Sequence, residues 1–310
     1  MRVSTLHPSI GGIPLVLGGN VFGWTAKGED GFAVLDTFYE AGGRMIDTAD
    51  IYSAWIEGHV GGESERLIGQ WLELRGVRQE MLIHTKTGMF GDPEKLKPAA
   101  VASAIDASLD RLRTDYIDLY YAHCDYEELA PEVIVEALSA TVASGKAREI
   151  GCSNYSAARV LAMLDAAGAA GVTPFTVLQN QYNLVARQDY GPDLQAICTS
   201  RDMAMLPFFG LASGYLSGKY RKPEDFEGSD RSYRVRDYAE SGPAVLAVMD
   251  AIAAETGANL PAIALAWLVR QPGIPAPIAS ARSPGQLAEL LEFTRVELTT
   301  EQLDRLTSTG

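Results

Sequence analysis

The sequence predicts an α/β protein, a (β/α)8 barrel, and three observations lead to this fold class. Short runs that are apolar on both faces alternate with longer helical patterns along the whole chain, as in parallel strands covered by helices. Eight such runs occur within 310 residues, a length typical of this barrel. The rival doubly wound sheet is disfavoured because no GxGxxG follows the first strand and no GxxxxGK[ST] occurs.

The eight predicted strands are short and are bounded by turn and helix signals. They lie at 15–17, 44–47, 81–84, 117–120, 148–151, 176–179, 204–208 and 275–279. No low-complexity tract, linker or repeat interrupts their alternation with helices. We therefore expect residues 1–310 to form a single domain.

Amphipathic patterns between these strands predict helices at 32–39, 67–72, 98–112, 133–142, 156–164, 243–254, 261–269, 286–293 and 301–306. Glycines that suit a helix C-terminus follow several of them, as Gly76 and Gly145 do. Ser156 is predicted to be an N-cap, and Thr299 with Gln302 a capping box. The polar stretch 211–240 is the one long irregular segment, either a lid or binding loop or a solvated surface excursion.

Composition excludes several classes of protein. With 26 Lys and Arg against 40 Asp and Glu, the net charge is −14, which argues against nucleic-acid or anionic-membrane partners. No segment approaches the roughly 18 apolar residues that a membrane span needs, and the first residues lack the apolar core of a signal peptide. The three cysteines have no metal-type spacing. We expect a soluble, cytoplasmic protein without a metal site.

Polar side chains follow the carboxyl ends of neighbouring predicted strands. Chemistry in a barrel takes place at these ends, which meet at one rim. The second and third strands lead to Asp47 and Lys86, and the fourth leads to His123. The fifth leads to Ser153 and Asn154, and the sixth ends at Gln179. A carboxylate, a lysine, a histidine and amides are thus expected to converge.

This set of side chains suits the reduction of a carbonyl group. A buried Lys86 needs a counter-charge, which Asp47 on the adjacent strand can supply. The cationic lysine is expected to lower the pKa of Tyr52 from about 10, making its phenol a usable general acid. His123 can donate a second hydrogen bond to the carbonyl oxygen, and Gln179 can hold a carboxamide. The reduction also needs a hydride donor, which these side chains do not supply.

Nine segments together resemble one known family. They are DTADIY (47–52), GESE (62–65), TK (85–86), SLDRL (108–112), TDYIDLY (114–120) with His123, GK (145–146), IGCSNY (150–155), QNQYN (179–183) and LSGKY (216–220). In this order they resemble the aldo-keto reductase superfamily, in particular its bacterial branch. The resemblance covers essentially the whole chain.

The resemblance implies a barrel with an N-terminal β-hairpin, here within residues 1–13, and C-terminal loop and helix extensions. It implies reversible NADPH-dependent reduction of a small-molecule aldehyde or ketone, with NADH as a possible alternative cofactor. Tyr52 is then the proton donor, Lys86 and Asp47 adjust its pKa, and His123 orients the carbonyl. No nucleic-acid or membrane partner is implied, and the oligomeric state stays open.

The resemblance also implies a set of cofactor-binding residues. Ser153, Asn154 and Gln179 correspond to residues that hold the nicotinamide carboxamide, and Phe208 stands where a tyrosine usually stacks on the ring. The residues implied along the rest of the cofactor are Gly210, Leu211, Ser213, Gly214, Lys219, Ser280, Arg282 and Gln286. Ser280 replaces a common glycine and Leu290 a common asparagine, whereas Arg282 suits the 2′-phosphate of NADPH.

Several alternatives stay open from the sequence. Trp24, Trp55 and Phe90 follow the first three strands and either wall a substrate pocket or simply pack within loops. The chain is a carbonyl reductase or, alternatively, a cofactor-binding redox sensor with little turnover. A third reading makes Lys86 the Schiff-base amine of an aldolase, but this leaves Tyr52 without a role.

Overall fold

The computed structural model describes residues 12–89, 93–227 and 232–309. Its sheet has eight strands in the order β7-β6-β5-β4-β3-β2-β1-β8, all paired in parallel. The strands are β1 (Val16–Gly18), β2 (Met45–Asp47), β3 (Leu82–Thr87), β4 (Ile117–Ala122), β5 (Ala147–Ser153), β6 (Val177–Gln179), β7 (Ala204–Met205) and β8 (Ile278–Ala279).

Two main-chain hydrogen bonds join the seventh and eighth strand regions, which stand at the two ends of this order. The amide of Ile278 donates to the carbonyl oxygen of Pro207 at 2.9 Å, and the amide of Met205 donates to that of Gly273 at 2.8 Å. The sheet is therefore closed on itself, and the predicted (β/α)8 barrel is confirmed.

Helices follow the strands and cover the outside of the barrel. They are α1 (Gly28–Glu40), α2 (Glu63–Arg75), α3 (Pro98–Leu112), α4 (Pro131–Ala143), α5 (Ala157–Ala170), α6 (Pro192–Ser200), α7 (Ser232–Val235), α8 (Gly242–Thr256), α9 (Leu260–Leu268), α10 (Pro284–Leu291) and α11 (Thr300–Thr309). The predicted cap at Ser156 accepts from the amide of Arg159, and the capping box of Thr299 and Gln302 has both of its hydrogen bonds.

Apolar side chains form two separate clusters, one on each side of the sheet. Alternate strand residues face the barrel interior, where Val16, Leu119, Tyr121, Val177 and Leu206 pack together. The larger cluster lies between the strands and the surrounding helices. The upper part of the barrel interior is polar, and this is where the predicted site residues lie.

Several predicted element boundaries are wrong. The last two strands were expected to span five residues each but have two, Ala204–Met205 and Ile278–Ala279. Proline explains both cases, because Pro207 and Pro277 have no amide hydrogen for the ladder. In contrast, β3 continues past the predicted end at residue 84 to Thr87, so that Lys86 lies on the strand itself.

The helix pattern was missed at α6, a nine-residue helix that begins with Pro192. The stretch 211–240 is less irregular than predicted, since it contains the short α7 and three 3-10 turns, Ala212–Ser217, Pro223–Phe226 and Arg236–Tyr238. The expected N-terminal hairpin falls mainly on residues 1–11, which lie outside the described residues.

No single helix among the described residues is long and apolar enough to cross a membrane. Helices α8 and α9 reach the required length and composition only when taken as a pair, and a bend of 101° separates them.

Polar contacts fix the start of α2 to the sheet and to α3. Ser64 donates to the carbonyl oxygen of Gly19 at 2.7 Å. Glu65 is fully buried and accepts from Thr85 and from Arg111 Nε, each at 2.6 Å. A buried carboxylate needs such partners. They also fix the end of the β2–α2 loop, residues 48–62.

We expect Glu65→Ala to lower the free energy of unfolding by about 3 kcal/mol, because it leaves the partly buried Arg111 without its carboxylate. Glu73→Ala is the matched control, since Glu73 on the same helix makes an exposed ion pair with Arg113. That variant should lose less than about 1 kcal/mol. Urea unfolding measures both, and equal losses would contradict the assignment.

Candidate active site

The register of the strands brings the four predicted catalytic residues to one rim. Asp47 is the last residue of β2 and pairs with His84 of β3, while Lys86 of β3 pairs with Tyr121 of β4. His123 follows β4 directly. Tyr52 comes from the β2–α2 loop, and its ring centroid lies 6.0 Å from that of His123.

Lys86 is the centre of this group and is fully buried. Its Nζ donates to Asp47 Oδ2 at 2.6 Å, to the carbonyl oxygen of Thr48 at 2.7 Å and to Tyr52 Oη at 3.2 Å. These three acceptors match the three donors of an ammonium group. Because Lys86 donates to the phenol oxygen, the phenol proton stays available for another acceptor.

Asp47 keeps Lys86 in its charged form. Burial acts to lower the pKa of Lys86, but the charge of Asp47, together with the nearby Tyr52, outweighs it and raises the pKa above its ordinary value. The lysine is therefore cationic in this site despite having no access to water.

The expected lowering of the Tyr52 pKa is wrong. Burial raises the pKa of the phenol and Asp47 raises it further, so the Lys86 ammonium, which acts to lower it, does not prevail. The physical reason is that removing a phenolate from water costs more than one nearby cation restores. Tyr52 is consequently protonated at neutral pH. The charge of Lys86 offsets part of the free-energy cost of forming its phenolate.

His123 is a neutral imidazole. Burial, with a smaller contribution from the Lys86 charge, holds the pKa of His123 well below its ordinary value. The side chain is 7% exposed, and Nδ1 has no hydrogen-bond partner among the described residues. A neutral ring carries a single N–H, so His123 can donate one hydrogen bond without bringing charge into the site.

The three residues predicted to hold a carboxamide lie together beside Asp47. Gln179 Nε2 donates to Asp47 Oδ1 at 2.9 Å. Asn154 has a φ of 63° and donates through Nδ2 to the carbonyl oxygen of His123 at 2.9 Å and to Ser153 Oγ at 3.1 Å. Their side chains are thereby oriented, and Gln179 keeps its amide oxygen as an acceptor for a carboxamide N–H.

The segment after β7 is a tight turn at residues 212–214, here called the cradle. Ala212, Ser213 and Gly214 all have positive φ, of 49°, 56° and 96°, and the amides of Ala212 and Gly214 donate within the turn to the carbonyl oxygens of Phe209 and Leu211 at 2.7 and 2.8 Å. The hydroxyl of Ser213 is buried without a partner among the described residues. A Cβ at Gly214 would lie 3.4 Å from Lys219 Nζ, which places an ammonium beside the cradle. These residues fit a dinucleotide pyrophosphate.

The remaining predicted cofactor residues follow β7 and β8. Phe208 is half-buried at the upper end of the interior cluster. A Cβ at Gly210 would lie 2.9 Å from Leu268 Cδ1, so a larger residue would displace that side chain, whereas Leu211 is half-buried against the outer cluster. Ser280 donates to Asn20 Oδ1 at 2.6 Å and thereby joins the ends of β8 and β1.

Arg282 is exposed directly before α10, whose N-cap is Ser283. A helix start with a nearby guanidinium suits a phosphate group. Gln286 was predicted to contact the cofactor. Its side-chain oxygen accepts from the amide of Arg282 at 3.0 Å and so supports the arginine, and its contact with the cofactor stays a prediction.

Two of the three predicted pocket residues are brought together. Trp24 and Trp55 meet edge to face with ring centroids 5.7 Å apart, and Trp55 also contacts the ring of Tyr52 at 6.0 Å. Trp55 is 46% exposed, which is unusual for its size. Phe90, the third, lies outside the described residues.

Sequence reasoning missed the roles of Thr48, Asn20 and Tyr121. Thr48 acts through its main-chain carbonyl, which side-chain patterns do not reveal. Asn20 has a polar side chain after β1, so the rule of examining strand ends could have found it. Tyr121 lies with its ring centroid 5.8 Å from Lys86 Nζ, but its spacing is that of an ordinary core residue.

Comparison with known proteins agrees with this geometry. The model of the aldo/keto reductase family matches residues 14–310. A norsolorinic acid reductase of Aspergillus flavus is 32% identical over 308 residues, covering 94% of this chain and 76% of its own length. An NADP(+) aryl-alcohol dehydrogenase of Phanerodontia chrysosporium is 29% identical over 304 residues, covering 92% of this chain and 77% of its own.

The chain therefore belongs to the aldo/keto reductase family and is an oxidoreductase. A second norsolorinic acid reductase, from Emericella nidulans, is 33% identical over 313 residues and covers 96% of this chain and 78% of its own length. These relatives are fungal, so the expected placement in a bacterial branch finds no support among them.

His84 lies inside the barrel, two residues before Lys86 on β3, and is 1% exposed. Burial, with a smaller effect of the Lys86 charge, lowers its pKa from 6.5 to about 3. In the unfolded chain the imidazole takes up a proton as the pH falls below 6.5, whereas in the folded chain it does so only near 3. The unfolded state is therefore favoured progressively as the pH falls through this window.

We expect His84→Leu to reduce this loss of stability. Between about pH 7.5 and about pH 5.5, the wild type should lose roughly 1.4 kcal/mol more than the variant. Urea unfolding of both proteins at the two pH values measures the difference. Parallel losses would show that His84 titrates alike in the folded and unfolded states.

Proposed function

We propose that this protein reduces an aldehyde or ketone to the alcohol, reversibly, with NADPH as hydride source. The observation that carries the proposal is the contact of 3.2 Å between Lys86 Nζ and Tyr52 Oη. It joins a phenol that is protonated at neutral pH to a buried cation that stabilises the phenolate left behind. This pairing is what a general acid for a carbonyl oxygen requires.

The proton step uses the four rim residues. Tyr52 donates its phenol proton to the substrate oxygen as negative charge develops there, and Lys86 stabilises the resulting phenolate. Asp47 keeps the lysine cationic, and Thr48 fixes its position through a second hydrogen bond. His123 donates its N–H to the same oxygen and orients the carbonyl. When bound, the nicotinamide supplies the hydride that the carbonyl carbon accepts.

The proposed cofactor site extends along the rim from β5 to β8. Ser153, Asn154 and Gln179 would hold the carboxamide, and Phe208 offers an aromatic face to the nicotinamide ring. Gly210, Leu211, the cradle at 212–214 and Lys219 would bind the pyrophosphate. Arg282, supported by Gln286, would bind the 2′-phosphate that distinguishes NADPH from NADH. The buried hydroxyl of Ser213, without a partner among the described residues, supports this arrangement.

We propose an aromatic carbonyl as the substrate class. Trp24 and Trp55 form an apolar wall next to Tyr52, and the exposed indole of Trp55 presents area that a flat ring would cover. The names of the relatives, an aryl-alcohol dehydrogenase and norsolorinic acid reductases, support the same class.

Tyr52→Phe should lower kcat at least about a hundredfold, because the general acid is lost. The Kd for NADPH should stay within about twofold, since Tyr52 makes no cofactor contact in the proposed site. Tyr39→Phe is the matched control, because the phenol of Tyr39 is bonded to Glu80 away from the rim. NADPH oxidation with an aromatic aldehyde measures kcat, and tryptophan fluorescence measures Kd. Unchanged turnover in Tyr52→Phe would exclude its role as acid.

Arg282→Ala should weaken NADPH binding about tenfold or more and leave NADH binding nearly unchanged, because only NADPH carries the 2′-phosphate. Arg295→Ala, an exposed arginine after α10, is the matched control. Fluorescence titration with both cofactors gives the ratio of the two Kd values. An equal loss for both would show that Arg282 does not bind the 2′-phosphate.

A further inference from the structure

The loop that follows His123 is held by an arginine of α5. Residues 123–130, here called the β4–α4 loop, connect β4 to α4. Nε and Nη2 of Arg159 donate to the two carboxylate oxygens of Asp125 at 2.7 to 2.9 Å. The two side chains are 15% and 12% exposed. A charge-assisted, bidentate pair of this kind holds its two groups in one relative orientation.

The same guanidinium reaches two further points of the β4–α4 loop. Nη2 of Arg159 also donates to the main-chain oxygens of Tyr126 and Leu129, at 3.3 and 3.2 Å. A guanidinium carries five donors in a rigid plane, which lets one side chain contact a carboxylate and two carbonyl groups at once. Arg159 therefore fixes most of this loop to the first turn of α5.

His123 lies at the beginning of this loop, and its main chain is held on both sides. Its amide donates to the carbonyl oxygen of Thr87 at 2.8 Å, and its carbonyl oxygen accepts from Asn154 Nδ2 at 2.9 Å. Nδ1 of the imidazole is buried and has no partner in the part of the chain that the structure describes. The direction of the ring is thus set by the main chain and by packing, and not through Nδ1.

The loop is also attached to the end of β3, but by contacts of a different kind. Tyr126 Oη and Cys124 Sγ both donate to the carbonyl oxygen of Gly88, at 2.9 and 3.0 Å. These are neutral hydrogen bonds, and the charge-assisted bonds of Arg159 are roughly twice as strong. Loss of Arg159 should therefore release the loop from α5 while leaving it attached to β3.

We propose that Arg159 is a positioning residue for His123. By fixing the β4–α4 loop to α5, it keeps the imidazole enclosed at the rim, with its centroid 6.0 Å from that of the Tyr52 ring. There the N–H of His123 can reach the carbonyl oxygen that Tyr52 protonates. This role rests on the proposed function, in which His123 orients the carbonyl.

NMR of the histidine Cε1–H groups, in the full chain without cofactor, tests this role. The signal that disappears in His123→Gln identifies His123. Burial holds the pKa of His123 well below its ordinary value, so in the wild type this signal should not shift between about pH 5.5 and about pH 8. In Arg159→Ala water reaches the imidazole and the effect of burial weakens, so the signal should titrate within this range.

Arg78→Ala is the matched control, because Arg78 and Asp118 form a similarly shielded ion pair at the opposite end of β4. Their nitrogen and oxygen are 2.8 Å apart, and the side chains are 13% and 7% exposed. Arg78 likewise donates to two main-chain oxygens, those of Met81 and Tyr116. Both variants should lose stability in urea to a similar extent, but the His123 signal of Arg78→Ala should behave as in the wild type.

Turnover gives a second readout. With an aromatic aldehyde, Arg159→Ala should lower kcat about tenfold, because a displaced imidazole no longer orients the carbonyl. The Kd for NADPH should stay within about twofold, since Arg159 acts on the β4–α4 loop. Arg78→Ala should change neither quantity by more than about twofold.

Three results would overturn this role of Arg159. The His123 signal titrates already in the wild type, it stays unshifted in Arg159→Ala, or it titrates equally in Arg78→Ala, which would indicate a general loosening. If Arg159→Ala does not fold, Asp125→Asn decides, because it weakens the same pair with little change of shape and should also make the signal titrate.

The NMR measurement needs neither cofactor nor substrate, so its outcome is separate from that of the proposed reaction. A wild type that binds NADPH but reduces no carbonyl would contradict the proposed function. The effect of Arg159 on the enclosure of His123 would still be decided by the titration of the imidazole.

Discussion

The ion pair between Lys86 and Asp47 is the interaction on which the rest of the site depends. Removing both charges from water is costly, and a buried pair of this kind contributes little net stability. The pair matters for the chemistry of the site, because it keeps the charged Nζ of Lys86 at 3.2 Å from the phenol oxygen of Tyr52. Lys86 is fully buried, so water does not screen this charge. The barrel supports this arrangement, because β2 and β3 are neighbours and end at the same rim.

The surrounding contacts restrict how this pair can be arranged. Gln179 donates a hydrogen bond to the second carboxylate oxygen of Asp47, and the main-chain oxygen of Thr48 accepts one of the three hydrogen bonds of Lys86. Tyr52 is thus the remaining partner of the ammonium group, and it is brought there by a loop whose far end is fixed through Glu65 and Arg111. The polar network outside the barrel therefore supports the position of Tyr52 inside it.

Much of this was predictable from the sequence, and the exceptions have physical causes. Asp47, Lys86 and His123 were found because strand ends meet at one rim. The direction of the Tyr52 pKa shift could not be predicted. It depends on whether the effect of burial exceeds that of the Lys86 charge, and residue spacing does not show how deeply the phenol is buried. The helix α6 was not predicted, and Pro207 and Pro277, which have no amide hydrogen for the ladder, limit β7 and β8 to two residues each. The contact between the side-chain oxygen of Gln286 and the amide of Arg282 was also not predictable from spacing.

The central claim is that a protonated Tyr52 and a bound nicotinamide reduce a carbonyl at this rim. Rapid mixing of the purified protein, saturated with NADPH, with an aromatic aldehyde tests it most directly, with nicotinamide absorbance as the readout. We predict a loss of absorbance that depends on the aldehyde and continues over many turnovers, and that is at least about a hundredfold slower in Tyr52→Phe. Tight binding of NADPH without oxidation by any aldehyde or ketone would contradict the account and favour a redox sensor.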